Sequence, residues 1–183
     1  MMVEKTRFVF SGSGGQGVIT AAIILAETAV LQENLNAVQT QIYGAAARGG
    51  ATRSDVIISD SAIYFPYVEQ ANVLICLTQE AYNKFSPIVR PGGLLITDTR
   101  YVKIERAVDA VQKELPMYQT VMDKIGKPIV FNICMLGVVT ALSPVVKPES
   151  ITKILEERIA PAFLDMNRKA LELGFELGRQ SMG

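Results

Sequence analysis

The residues with the clearest chemical potential are six that follow a short apolar run near the N-terminus, Gly12-Ser13-Gly14-Gly15-Gln16-Gly17. Their spacing satisfies Gly-x-Gly-x-x-Gly. Residues 7–11 read as a strand before them, and Ile19, Ala22, Ile23, Ala26 and Val30 recur at helical spacing after them. Strand, glycine turn and helix in that order raise an otherwise weak motif. Glycines let a backbone turn sharply and approach a ligand closely. The N-terminus of the helix offers unpaired N–H groups and a partial positive charge. The chemistry implied is binding of an anion, a phosphate or a carboxylate. A tight turn and close strand–helix packing would need the same glycines.

Two refinements toward nucleotides fail. A dinucleotide site usually places an acidic residue at the end of the second strand, and Val38-Gln39-Thr40-Gln41-Ile42 has none. A phosphate loop of nucleotide hydrolases needs Lys and Ser/Thr after its last glycine, where Val18 stands. A second cluster is Tyr43-Gly44-Ala45-Ala46-Ala47-Arg48-Gly49-Gly50, with Arg53 beyond it. Open sheets bind ligands outside the carboxyl ends of their strands. With the first two strands as parallel neighbours, this segment and the glycine loop converge. Arg48 and Arg53 then bring guanidinium forks suited to phosphate or carboxylate, and Gly49 and Gly50 allow backbone approach. Tyr43 is a candidate contact or a packing residue. A solvated surface loop is the plainer reading of the same segment.

Composition removes other classes. Eighteen basic residues balance eighteen acidic ones, so nothing draws the chain as a whole to nucleic acid or to an anionic membrane. There is no histidine, and the two cysteines, Cys76 and Cys134, each sit inside an apolar run. Clusters and structural zinc need about four grouped Cys or His ligands. Buried thiols in a reducing cytoplasm are expected, with no metal site. The first residues are polar, unlike a signal peptide. The apolar stretch over 133–142 is too short to span a bilayer.

The elements that must position the glycine loop follow from periodicity and turn chemistry. Residues 36–42 are a second strand and 56–58 part of a third. The link between them is too short for a crossover, which predicts an antiparallel pair. Ser59-Asp60-Ser61 predicts a turn, with residues 62–64 completing a hairpin. Residues 73–77 read as a buried central strand. Thr78 then caps a helix over 79–89, and 94–97 form the next strand, closed by Asp98. Residues 108–112 read as a strand and 117–125 as a helix ending at Gly126. Asn132 is expected to cap a helix over 133–142, and Pro148 to open one over 149–158. The last helix covers 161–179. Its Ala170, Gly174 and Gly178 imply close backbone approach, within the fold by preference, otherwise to a partner chain. The fold class is α/β: a three-layer domain with a Rossmann-like mixed, mostly parallel sheet and C-terminal helices. One domain is expected over 1–183, helical from about residue 132.

The order Gly12-Ser13-Gly14-Gly15-Gln16-Gly17, Tyr43-Gly44, Arg48-Gly49-Gly50, Ile58-Ser59-Asp60, and later Asn132 with Leu136-Gly137, resembles the gamma subunit of 2-oxoacid:ferredoxin oxidoreductases. The likeness covers nearly the whole chain. Ser59-Asp60, Ile63 and Tyr64-Phe65-Pro66-Tyr67 are similar to the 2-oxoglutarate branch. The resemblance implies a cytoplasmic, multisubunit enzyme that oxidatively decarboxylates a 2-oxoacid, forms an acyl-CoA and reduces ferredoxin. It implies alpha and beta partners, and a delta subunit where one is present. Thiamine diphosphate and the iron–sulfur clusters would lie on those partners. This chain would contribute to assembly and to the surroundings of coenzyme A, through Gly12, Ser13, Gly14, Gly15, Gln16, Gly17, Tyr43, Arg48, Gly49, Gly50 and Arg53. No catalytic residue is assigned, and the isolated chain would be inactive. Two other readings stay open: an independent nucleotide-binding oxidoreductase using the glycine loop, and a purely structural scaffold. The aromatic cluster Tyr64, Phe65 and Tyr67, next to Pro66, is read as a partner contact or as local packing.

Overall fold

Phe8, Val9 and Phe10 are all buried, as are Val56, Ile57 and Ile58, so neither run alternates. Strands of that kind must be covered on both faces, and they occupy the middle of the sheet. The computed structural model describes residues 5–42 and 50–183. Its strands are β1 (Thr6–Gly12), β2 (Asn36–Ile42), β3 (Thr52–Ser59), β4 (Ala71–Cys76), β5 (Val89–Asp98) and β6 (Ala110–Leu115). They form one sheet in the order β2-β3-β1-β4-β5-β6. The pairs β1/β4, β4/β5 and β5/β6 are parallel, whereas β3 runs antiparallel to both β1 and β2. The sheet is therefore mixed and mostly parallel, as expected. β1 and β2 point the same way but are not neighbours, because β3 lies between them. Ile42 pairs with Arg53, and Arg53 with Ser11, so the ends of β1 and β2 stand level. They are about 10 Å apart, two strand spacings.

The helices are α1 (Val18–Leu31), α2 (Gln79–Phe85), α3 (Met117–Lys124), α4 (Phe131–Leu142), α5 (Pro148–Arg158) and α6 (Pro161–Gln180). On one face of the sheet, α1 and the C-terminal helices cover Phe8, Phe10, Ile58, Ile75 and Ile96. On the other, α2 contributes Tyr82 and Phe85 to a core with Val9, Ile57, Leu74 and Leu95. The alternation of neighbours between the two cores is the period of two of a strand. Thr78 caps α2 as expected, its Oγ1 accepting the Ala81 N–H at 3.1 Å. Three sequence expectations are corrected. The helix foreseen over 79–89 stops at Phe85, a 3-10 turn follows, and Val89 already belongs to β5. Residues 62–64 form no strand but part of an extended link from β3 to β4. Asn132 does not cap α4. The 3-10 turn that Pro128 opens runs straight into the helix, leaving Asn132 as its second residue.

Every residue of α4 from Phe131 to Ala141 is buried, as a helix that is apolar all round must be. It packs chiefly on α6. A Cβ added to Gly174 would overlap the Cys134 carbonyl, and one on Gly137 would overlap the Leu171 carbonyl. The four-residue spacing of Ala170, Gly174 and Gly178 thus serves packing inside the fold. Gly174→Ala is expected to cost about 2–3 kcal/mol by forcing the two helices apart. Gly15→Ala, where a Cβ meets nothing within 4 Å, is expected to change stability by under about 0.5 kcal/mol. Chemical denaturation of the two variants checks this contrast.

Candidate functional site

The glycine loop leaves β1 and enters α1 through Gly17, whose φ of 69° lies in the left-handed region. A side chain there would also strike Asn132, with Nδ2 only 2.7 Å from the added Cβ. Gly17 is therefore required by conformation and by space. Gly14 and Gly15 differ: they are exposed, and an added Cβ would meet nothing. No protein neighbour demands glycine at these two positions. Gln16 folds back across the loop. Its Oε1 accepts the Ser13 N–H at 2.8 Å, and its Nε2 donates to the Leu77 carbonyl at 2.9 Å. Leu77 also donates its own N–H to the Ser11 carbonyl. One glutamine thus ties the turn to the end of β4.

Beside the loop opens a cavity of about 670 Å³. Gly15, Gln16, Gly17 and Thr20 form one wall, Tyr101, Tyr118 and Phe131 a second, and Phe163, Met166 and Asn167 of α6 a third. The three rings meet mostly edge to face, with centroids 5.5–6.1 Å apart. The Arg100 guanidinium lies 4.5 Å from the Tyr118 ring centroid. Among the described residues no Asp, Glu, Lys or Arg lines the cavity. Its polar groups are amides and hydroxyls: Gln16, Asn132, Asn167, Thr20 and the two tyrosines. Burial and the neighbouring Tyr118 hold the Tyr101 phenol above its ordinary value, against the pull of Arg100. Among the described residues the lining is uncharged and suited to binding rather than to proton transfer.

The aromatic wall is positioned by Asp98, at the buried end of β5. One carboxylate oxygen accepts the Arg100 N–H at 2.9 Å and the other the Tyr118 N–H at 2.8 Å. The same carboxyl fixes the turn that carries Tyr101 and the first turn of α3 that carries Tyr118. Burial pushes it above its ordinary value, against the amides of Tyr118, Arg100 and Met117 and the Arg100 charge. Sequence reasoning missed this wall because residues 101–127 carry little periodic signal. Asp98 after an apolar strand was legible only as a strand-end cap.

The remaining expected site residues divide. Tyr43, Arg48 and Gly49 lie outside the described residues. Gly50 precedes β3 and is half-buried. Arg53 is committed elsewhere. Its Nε and Nη2 each lie 2.7 Å from an Asp55 carboxylate oxygen, and Nη2 also donates to the Val68 carbonyl. Phe85 of the second core underlies the guanidinium, its ring centroid 5.5 Å from Cζ. The donor set does not suit a cluster. Cys76 and Cys134 belong to different cores, and burial pushes both thiols up to about 12. Among the described residues no three His, Cys, Asp or Glu side chains group around a common point. No helix among them is long and apolar enough to cross a membrane.

Gln16→Ala removes both ties and is expected to cost about 1 kcal/mol and to speed exchange of the Ser13 amide, read by hydrogen–deuterium exchange. The pH dependence of Asp98 has a definite sign. Its carboxyl holds a proton more tightly folded than unfolded, where 3.8 is ordinary. Its contribution to stability is full below that value and is lost as pH rises through the folded one. Asp98→Asn is expected to lose this slope in urea unfolding measured across pH, at a constant cost from turning an amide N–H toward one of its donors.

Comparison with known proteins agrees with this fold. The family described as Pyruvate ferredoxin/flavodoxin oxidoreductase matches residues 7–177. The 2-oxoglutarate synthase subunit KorC of Methanocaldococcus jannaschii is 39% identical over 172 residues, covering 93% of this chain and 92% of that one. The crystal structure of the keto/oxoacid ferredoxin oxidoreductase gamma subunit from Geobacter sulfurreducens superposes with a TM-score of 0.88 at 38% identity, covering 96% and 97% of the two chains. The ketoisovalerate oxidoreductase subunit VorA of Methanothermobacter thermautotrophicus is 30% identical, but the match takes in 97% of this chain and only 37% of VorA. The chain belongs to the pyruvate ferredoxin/flavodoxin oxidoreductase family, as a gamma-type component.

Proposed function

We propose that this chain is the gamma subunit of a cytoplasmic complex that oxidatively decarboxylates 2-oxoglutarate, with coenzyme A as acyl acceptor and ferredoxin as electron acceptor. Alpha and beta subunits, with delta where present, carry the thiamine diphosphate and the iron–sulfur clusters. The KorC relatives support the choice of 2-oxoacid. The observation that carries a coenzyme A role is the cavity, uncharged among the described residues, that opens directly onto Gly15. Its apolar walls and side-chain amides match a ligand arm that alternates methylene groups with amides. The exposed loop amides and the N-terminus of α1 suit an adjoining phosphate. When bound, coenzyme A supplies the thiol that accepts the acyl group. The residues of this chain bind and orient it, and none is placed to break a bond.

A purely scaffolding role has support of its own. Arg53 is taken by Asp55, and the Ser13 amide by Gln16. Both are groups an anion would otherwise use.

Coenzyme A titration of the assembled complex separates the two. Gly15→Ala places a methyl in open space, so folding is untouched while ligand approach is obstructed. About tenfold weaker coenzyme A binding is expected, and unchanged affinity favours the scaffold. Purification of the native chain without any larger subunit would overturn the gamma-subunit reading itself.

A further inference from the structure

The polar groups of the cavity are not equivalent. Gln16 is spent at both ends, on Ser13 and on Leu77. The hydroxyls of Thr20, Tyr101 and Tyr118 can donate or accept, so they set no preference. Asn132 and Asn167 do. Asn132 is only 9% exposed and Asn167 7%, and both line the cavity. Asn167 Nδ2 donates to the Phe163 carbonyl, one turn back along α6, at 2.8 Å. Asn132 Nδ2 donates to the Gly17 carbonyl at 3.4 Å. A carbonyl oxygen takes only a donor, so these partners fix which end of each amide is the nitrogen. Each nitrogen is thus turned to backbone. Among the described residues neither side-chain oxygen accepts a hydrogen bond, and neither is shut off from solvent.

Asn167 stands inside the 20-residue helix α6, where asparagine is a poor helix former. Its neighbours in the cavity wall, Phe163 and Met166, are apolar. An aliphatic residue would serve packing better at that place. The two oxygens give the cavity a polarity that its lack of charge conceals. It offers acceptors and is matched by donors. An ionised carboxylate or phosphate brings acceptors, and among the described residues no cation lines the cavity to offset them. An ammonium group would enter without a counter-ion. A neutral N–H meets the requirement. Two acceptors on separate helices, α4 and α6, suit two such groups set apart along one ligand. Water can serve both oxygens in an open cavity, but a ligand that displaces it without supplying donors strands them.

We infer that the side-chain oxygens of Asn132 and Asn167 accept the two amide N–H groups of the pantetheine arm of coenzyme A. The cavity then takes the arm, leaves the phosphates outside at the glycine loop, and turns the 2-oxoacid away. This rests on the coenzyme A reading.

The test pairs a change in the ligand with a change in the chain. Titration calorimetry of the assembled complex compares pantetheine with its two mono-ester analogues, in each of which one amide N–H is replaced by oxygen. Each ester is expected to bind about tenfold more weakly. In an Asn167→Leu complex one of the two losses is expected to vanish, leaving that ester within about twofold of pantetheine. A purely structural Asn167 would weaken all three ligands alike. Esters that bind the unaltered complex within about twofold of pantetheine, or losses that both persist in the variant, overturn the inference and leave the coenzyme A reading standing. So does a complex that binds coenzyme A and not pantetheine. Where the variant fails to assemble, the losses in the unaltered complex carry the inference and their absence sinks it. A complex that binds neither pantetheine nor coenzyme A ends both.

Discussion

The approach of two helix backbones sets the geometry of the candidate site. α4 and α6 meet where Gly137, Gly174 and Gly178 leave no room for a Cβ. That closeness lets α4 lie buried between the sheet and α6, and its first turn then becomes a wall of the cavity. Phe131 closes the aromatic trio, and Asn132 fits against Gly17, its Nδ2 3.4 Å from the glycine carbonyl. The loop after β1 and the helix beginning 114 residues after Gly17 are thus one unit. A methyl group between α4 and α6 would be felt at the glycine turn.

Much of this was legible in the sequence. The strand–turn–helix opening, the antiparallel β2/β3 pair and the Thr78 cap follow from period, link length and cap chemistry, and the structure has them. Strand order did not follow. The short β2–β3 link fixes their relative direction but is silent on which of them sits beside β1. Asn132 was misplaced because an asparagine before an apolar run signals a cap, whereas Pro128 had already started the turn. Arg53, expected beside a ligand, pairs with Asp55, two residues on and on the same face, a partner that the alternation of a strand provides. The aromatic wall was invisible for a different reason. Tyr101, Tyr118 and Phe131 share no element, and Asp98 joins the first two through backbone amides that sequence does not display.

Reactive groups in this chain are held quiet. Both thiols remain protonated at neutral pH, Asp98 is spent on three amides, and among the described residues no ionised side chain lines the cavity. A site of that kind gains affinity from contact area and neutral hydrogen bonds, so ionic strength has little hold on it. Ion pairs lie elsewhere, as that of Arg158 with Glu27 between α5 and α1, and of Arg168 with Glu156 between α6 and α5.

The reversed strand in the middle of the sheet has a consequence during synthesis. A ribosome that has released β1, α1 and β2 has released two strands that never pair with each other, because the slot between them belongs to residues still to be made. Their exposed edges stay open until β3 arrives, and β1 keeps one open until β4 follows. The segment up to Ile42 therefore cannot close as a local unit. Its commitment to structure waits on β3 and then on β4, and pairing across such sequence separations slows folding and lengthens the exposure of open edges.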